Sequence, residues 1–277
     1  MGNTIEGIRV LITGGAKGIG AETARMFAME GGARTIYLAD IDDEAGGKTA
    51  KELSALCGNA HTGENAHASG GAHSGVNEHS GGGARLCECV YRRLDVADEV
   101  GVAALFREIE ADGGLDVLFN CAGITSVKNL FETDKALWDR IMSVNVTSVF
   151  LLSKEAMRIM SAQKSGRIIN VSSVSAYVGG IRTSPAYAAS KAAILGLTRS
   201  LAKYGAPYNV TVNAVAPGIV DTDMTRDPDF VYSANEVPLG GAASPADIAR
   251  TVLFLAGEGG NHITGQCINV NGGMFFA

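Results

Sequence analysis

No run of apolar residues in this chain approaches the length of a membrane span. Basic residues are in the minority, 23 Lys and Arg against 29 Asp and Glu, and no basic patch is evident. The net charge of −6 argues against nucleic acid or an anionic membrane surface as a partner. Cysteines are few and odd in number: Cys57, Cys87, Cys89, Cys121 and Cys267 stand at irregular spacing. That does not make a disulfide framework, and reduced thiols in the cytoplasm are the expectation. Targeting signals are missing too. The first strand-like run begins at Ile8, so no signal or transit peptide is expected ahead of it. Glu6 stands where a myristoylation signal wants Ser or Thr, and residues 272–277 carry no retention or peroxisomal address.

What is present is 277 residues at 46% hydrophobic content, enough for one large α/β domain with a sizeable core. Strand-like apolar runs at 8–12, 35–39, 88–92, 117–120, 167–171, 210–215 and 267–270 alternate with helical patterns. Several are continuously apolar, as strands covered on both faces must be. The pattern predicts a single doubly wound, Rossmann-like parallel sheet with helices on both faces, spanning 1–277. Ligands in such sheets bind at the carboxyl ends of the strands.

Residues 58–85 break the pattern. They are rich in Gly, His, Ser, Ala and Asn and nearly free of large apolar side chains. They cannot bury enough surface to offset ordering entropy, so a surface insertion is expected between a helix ending near Cys57 and the strand at Glu88. His61, His67, His73 and His79 recur there every six residues. Regular His spacing can signal metal binding. A period of six fits no helical face, however, and the reading is a tolerated low-complexity loop with no metal site.

The glycines Gly14, Gly18 and Gly20 lie between the first strand and a helix-like run from Ala21. A strand, a Gly-rich turn and a helix N-terminus form an anion site suited to a pyrophosphate. Any tight connection could use the same glycines. Asp40 follows the second strand, 20 residues past Gly20. An acid there can accept hydrogen bonds from an adenosine ribose and repels a 2′-phosphate, which favours NAD over NADP. Lys17, in the glycine turn, pulls toward NADP. Asp40 could equally be a solvated strand end.

Tyr187 and Lys191 share a helical face at i, i+4. A phenol ordinarily titrates near pH 10, and a neighbouring ammonium favours its ionised form. Lowering it by about three units corresponds to about 4 kcal/mol and would make Tyr187 a proton donor or acceptor near neutrality. Ser172 and Ser173 end an apolar strand and either face the crevice or simply turn the chain. Asn145 sits mid-helix, where Asn has poor propensity, which suggests a buried hydrogen-bonding role, catalytic or structural.

In this order and at these separations, the motifs resemble the short-chain dehydrogenase/reductase family over nearly the whole chain outside 58–85. They are Thr13-Gly14-x-x-x-Gly18-Ile19-Gly20, Asp95-Val96, Asn120-Cys121-Ala122-Gly123, Asn145, Ser173, Tyr187-x-x-x-Lys191 and Pro217-Gly218-Ile219-Val220-Asp221-Thr222. The resemblance implies a homotetramer and hydride transfer between a nicotinamide and an alcohol or ketone. It implies Tyr187 as general acid/base and Lys191 on the nicotinamide ribose, lowering the Tyr pKa. Ser173 would polarise the carbonyl and Asn145 would hold a relay water. Gly14, Gly18, Ile19 and Gly20 would line the pyrophosphate, and Asp95 and Val96 the adenine. Asn120 and Gly123 would lie behind adenosine and ribose. Ile219 and Thr222, in the stretch opened by Pro217 and Gly218, would meet the carboxamide.

Two features depart from the family pattern. Cys121 stands where Asn is usual, and Ser173 is one residue further from Tyr187 than is commonest. Ser175 is the fallback, and Ser172 is further still. Strings such as 212–218 and 268–273 resemble the 3-oxoacyl-carrier-protein reductase branch, and sugar and polyol dehydrogenases nearly as well. The fatty-acid enzymes usually take NADPH, which Asp40 opposes. The expectation is therefore an NAD-dependent oxidoreductase of a secondary alcohol and its ketone. Its alternatives are an NADPH-dependent 3-oxoacyl-carrier-protein reductase, a catalytically silent dinucleotide-binding sensor or scaffold, or a docking role for the His-rich insertion.

Overall fold

The computed structural model describes residues 7–30, 32–59, 87–180, 183–226, 228, 230 and 232–276. Its strands are β1 (Ile8–Thr13), β2 (Ala33–Asp40), β3 (Glu88–Arg93), β4 (Val117–Asn120), β5 (Gly166–Val171), β6 (Val210–Pro217) and β7 (Cys267–Val270). They form one sheet in the order β3-β2-β1-β4-β5-β6-β7, with every neighbouring pair parallel. Each strand covers a run expected from sequence; β2 gains residues at both ends and β6 continues to Pro217.

The helices are α1 (Gly18–Met29), α2 (Asp43–Asn59), α3 (Glu99–Ala111), α4 (Lys135–Met142), α5 (Ser148–Gln163), the short α6 (Ser175–Val178), α7 (Pro185–Gly205) and α8 (Pro245–Ala256). Side chains of a strand alternate between faces. On β1, Val10 and Ile12 join Phe27, Leu53, Ile248 and Val252 beneath α1, α2 and α8. Leu11 instead joins Phe106, Leu152, Met160 and Ala202 beneath α3, α5 and α7. Two cores, one per face, account for the continuously apolar strands.

One boundary differs from the sequence expectation. Helix α2 does not stop near Cys57 but continues through Asn59. The remainder of the 58–85 insertion, with His61, His67, His73 and His79, lies outside the described residues. No helix among the described residues is long and apolar enough to cross a membrane.

Strand β1 pairs with β2 on one side and β4 on the other, so strand order reverses there. The crevice at that switch point opens at the carboxyl ends of the strands. Thr13, Asp40, Asn120 and Val171 all close their strands at that end.

Candidate active site

The glycine turn after β1 is shaped by close backbone contacts. Gly14 has φ +65°, and a Cβ there would lie 2.9 Å from the backbone of Ala122. A Cβ on Gly20 would fall 2.1 Å from the Gly14 carbonyl oxygen. Neither position admits a side chain, so turn and helix pack backbone to backbone. The Thr13 hydroxyl accepts hydrogen bonds from the N–H groups of Cys121 (3.1 Å) and Ala122 (3.2 Å), tying the turn to the segment after β4. Helix α1 begins with no side-chain cap from Lys17 and no acid in its first turn, which leaves its N–H groups for an anion.

Helix α7 carries the reactive pair. Pro185 fits its first turn, and the Ser184 hydroxyl caps it by accepting from Tyr187 N. Tyr187 and Lys191 point into the crevice one turn apart. The Tyr187 hydroxyl hydrogen-bonds Ser173. Ser172 turns away and donates to the Lys191 carbonyl (2.8 Å), while Ser175 opens α6 and donates its N–H to the Ser173 hydroxyl (3.1 Å). Of the three serines, then, Ser173 meets the phenol.

Burial pushes the Tyr187 phenol above its ordinary value, and the Ser173 hydrogen bond opposes this only in part. The Lys191 ammonium donates to the Val171 carbonyl (2.9 Å) and lies 5.7 Å from the Tyr187 ring centroid. Its own pKa is pushed down to about 8 by burial. The sequence expectation of a phenol lowered by Lys191 is thus not met in this state. Burial is the leading cause of both shifts, since desolvation disfavours phenolate and ammonium alike.

Asn145 does not sit in a regular helix as the sequence suggests. It occupies a π-helical turn, Ser143–Thr147, inserted between α4 and α5. Its amide donates to the Ile124 carbonyl (2.9 Å) and the Ser190 hydroxyl (3.0 Å), and its oxygen accepts from Ile124 N (2.9 Å). Gly123 lets this group approach: a Cβ there would lie 3.3 Å from the Asn145 oxygen and 3.4 Å from Lys191 Nζ. We predict that Asn145→Ala lowers unfolding free energy by about 1–3 kcal/mol, because the buried Ser190 hydroxyl and the part-buried Ile124 N–H and carbonyl lose their partner. Denaturant unfolding checks this; an unchanged midpoint would contradict it.

Gly14, Lys17, Gly18, Ile19, Gly123, Ser173, Tyr187, Lys191, Pro217, Gly218 and Thr222 line one cleft of about 310 Å³. The other expected site residues stand around it. Gly20 lies within α1. Asn120 is buried behind the cleft, donating to Asn170 (2.9 Å) and Ser153 (3.2 Å). Asp40 ends β2, and Asp95 and Val96 follow β3; none of the three lines the cleft. Val96 is buried in the core, and Asp95 turns the chain by accepting from Ala97 N (3.0 Å). Ile219 lines an adjoining cavity of about 210 Å³ with Val178, Met224, Phe230 and Met274. Ser173 and Tyr187 line both spaces. Sequence reasoning did not single out Ser190 or the cavity residues Val178 and Met274, since hydroxyls and apolar loop residues carry no distinctive spacing.

Asp40 receives Ala16 N–H (3.1 Å) on one oxygen and Ile41 N–H (2.7 Å) and Asp42 N–H (3.1 Å) on the other. Lys17 pairs with Asp42 at 2.8 Å. The cation that argued for a 2′-phosphate therefore already has an acidic partner.

A parallel sheet with a Gly-rich turn at its switch point, facing Tyr187 and a buried Lys191, defines a nicotinamide-dinucleotide oxidoreductase. The family model described as enoyl-(acyl carrier protein) reductase matches residues 77–275. The chain is 35% identical to the 3-oxoacyl-[acyl-carrier-protein] reductase FabG of Aquifex aeolicus, over 98% of both chains. It is 34% identical to the reductase of the same name from Vibrio cholerae, again over 98% of both. A 3-oxoacyl-[acyl-carrier protein] reductase from Brucella melitensis, solved with bound NAD, superposes with a TM-score of 0.81. That match has 28% identity and covers 100% of this chain and 94% of the other. The chain belongs to the short-chain dehydrogenase/reductase family.

Proposed function

We propose that this chain reduces a 3-oxoacyl thioester to the 3-hydroxyacyl thioester, with NAD(H) as the preferred dinucleotide. One observation carries the reading: Ser173 and Tyr187 form a wall common to the glycine-lined cleft and the cavity beside it. Val178, Met224, Phe230 and Met274 offer an acyl chain apolar contacts, while Thr125, Ser175, Thr183, Thr225 and Glu236 supply the polar part of the same lining. The relatives' names favour the carrier-protein reductase alternative over the sugar and polyol one. They also bring forward NADPH, the usual cofactor of that branch, whereas Asp40 and the Lys17–Asp42 pair favour NAD.

The glycine cradle, which a Cβ would fill, fits a pyrophosphate. When bound, the nicotinamide supplies or accepts the hydride at the carbinol carbon. The chain's own residues manage the oxygen. Ser173 donates a hydrogen bond to the carbonyl, and Tyr187, whose phenol burial pushes above its ordinary value, delivers its proton to the developing alkoxide. Lys191 and Gly14 to Ile19 hold the dinucleotide, Asn145 and Ser190 the supporting polar network, and Asp40, Asp95 and Val96 the adenosine end.

Because Lys191 loses its charge as pH rises through about 8, reductive kcat/KM should be level at neutral pH and decline above that value. A profile that climbs through 8 would contradict the protonated pair. We further read 1–277 as one domain carrying the 58–85 insertion, resident in the cytoplasm. Exposed Phe150 on α5, with Ala192 and Gly196 on α7, supports pairing of these helices across a two-fold axis within a homotetramer. Val149 and Leu151, next to Phe150 on α5, instead serve the core. The function itself is tested by consumption of NADH and NADPH with a 3-oxobutanoyl thioester beside a panel of ketoses. Turnover of ketoses alone would overturn it.

A further inference from the structure

Far from the crevice, three thiols that the proposed chemistry does not use converge. Cys57 lies in the last turns of α2, and Cys87 and Cys89 lie at the start of β3, two residues apart and so on one side of the strand. All three are buried, and their sulfurs lie within 4.8 Å of one another. Strand β3 is the sheet edge, paired only to β2. Its amino end is opposite the carboxyl ends that form the crevice. The sequence reading expected no metal anywhere.

We propose that Cys57, Cys87 and Cys89 form a structural site for one thiophilic cation, Zn2+, that clamps the end of α2 to the edge strand. With Zn–S bonds of about 2.3 Å, sulfurs around one ion stand about 3.8–4.0 Å apart, within the spread observed here. Binding replaces three S–H bonds by three Zn–S bonds and releases three protons to solvent. The complex carries one net negative charge and leaves a fourth tetrahedral position for water. No electron transfer is involved.

A trio of buried thiols could merely be small apolar residues. Two features favour the ion. The three converge from two elements separated in sequence by residues 58–86, so one ion would fasten both ends of that long connection, where a constraint does most. No carboxylate competes within the cluster: among the described residues it is made of sulfur alone, a donor set that selects Zn2+ over Mg2+ or Ca2+. The site touches neither the cleft nor its neighbouring cavity, so it stands or falls apart from the catalytic reading.

The test uses the full chain, reduced and kept free of oxygen, titrated with Cd2+ as the spectroscopic substitute. One equivalent should produce the thiolate-to-cadmium charge-transfer band. Cys57→Ser and Cys89→Ser should each lose most of it, and Cys267→Ala should keep it. Should the serine variants fail to fold, the wild type decides. Zn2+ should slow iodoacetamide labelling of Cys57, Cys87 and Cys89 at least tenfold, as mapped by peptide mass, and leave Cys121 and Cys267 unchanged. Absence of the band, a band that survives both serine variants, or unaltered labelling of the three thiols would overturn the proposal.

Discussion

Tyr187→Phe is expected to lower kcat by about 10²–10⁴-fold while dinucleotide binding stays nearly unchanged. The phenol is the group that meets Ser173, and its pKa is held up by burial, so it is a stored proton facing the substrate cavity. Phenylalanine keeps the ring, its packing and its contact with Lys191, and removes only that proton. The contacts expected to hold the dinucleotide lie on Gly14, Gly18, Ile19 and Lys191 and remain in place. Fluorescence titration with NADH gives the binding arm, and steady-state turnover gives the other. A loss below about tenfold, only about 1.4 kcal/mol of barrier, would remove Tyr187 from the proton transfer.

The second large effect concerns the loop after β2. Wild-type kcat/KM should favour NAD over NADP by at least about tenfold, or about 1.4 kcal/mol. Asp40 can accept a charge-assisted hydrogen bond from a ribose 2′-OH but faces a 2′-phosphate as one anion faces another. Lys17 cannot fully offset that, since Asp42 holds it at 2.8 Å. Arg93, the other cation near this loop, donates to the Ile41 carbonyl (2.8 Å) and pairs with Asp43 (2.7 Å). Asp40→Ala should shrink the preference mainly by weakening NAD. It should also loosen the loop, because Ala16, Ile41 and Asp42 N–H groups lose their acceptor. Adding Ile41→Arg, at a position 58% exposed, should reverse the preference, because a guanidinium can take the phosphate in bidentate fashion. Equal use of both dinucleotides by the wild type would show that Lys17 outweighs Asp40.

Periodicity and punctuation made most of the fold legible. Strand-like runs, several of them continuously apolar, located the seven strands of the described residues, and glycine spacing located the turn at the switch point. The failures have physical causes. Helix α2 outran its expected end because Gly58 and Asn59, poor helix formers, continue the helical backbone. The π-turn at Asn145 is invisible to sequence pattern, because it inserts one residue per turn without changing composition. The raised Tyr187 pKa was missed because i, i+4 spacing reports proximity to Lys191 but not the burial that desolvates both. The Ser-Ser pair after the strand favours Ser173 over Ser175 and Ser172, but their directions are visible only in the structure, where Ser172 donates to the Lys191 carbonyl. Nothing in the spacing of Cys57, Cys87 and Cys89 indicated that a helix end and an edge strand would bring them together.

The account centres on direct hydride delivery to a 3-oxoacyl carbon while Tyr187 protonates its oxygen. The most direct measurement uses reduced dinucleotide carrying deuterium at the transferable C4 position and a 3-oxobutanoyl thioester, with the product analysed by mass spectrometry. The account predicts one deuterium per product molecule, located on the carbinol carbon, with NADH the better donor. A 3-hydroxyacyl product without deuterium at that carbon, or no product from either dinucleotide, would contradict it.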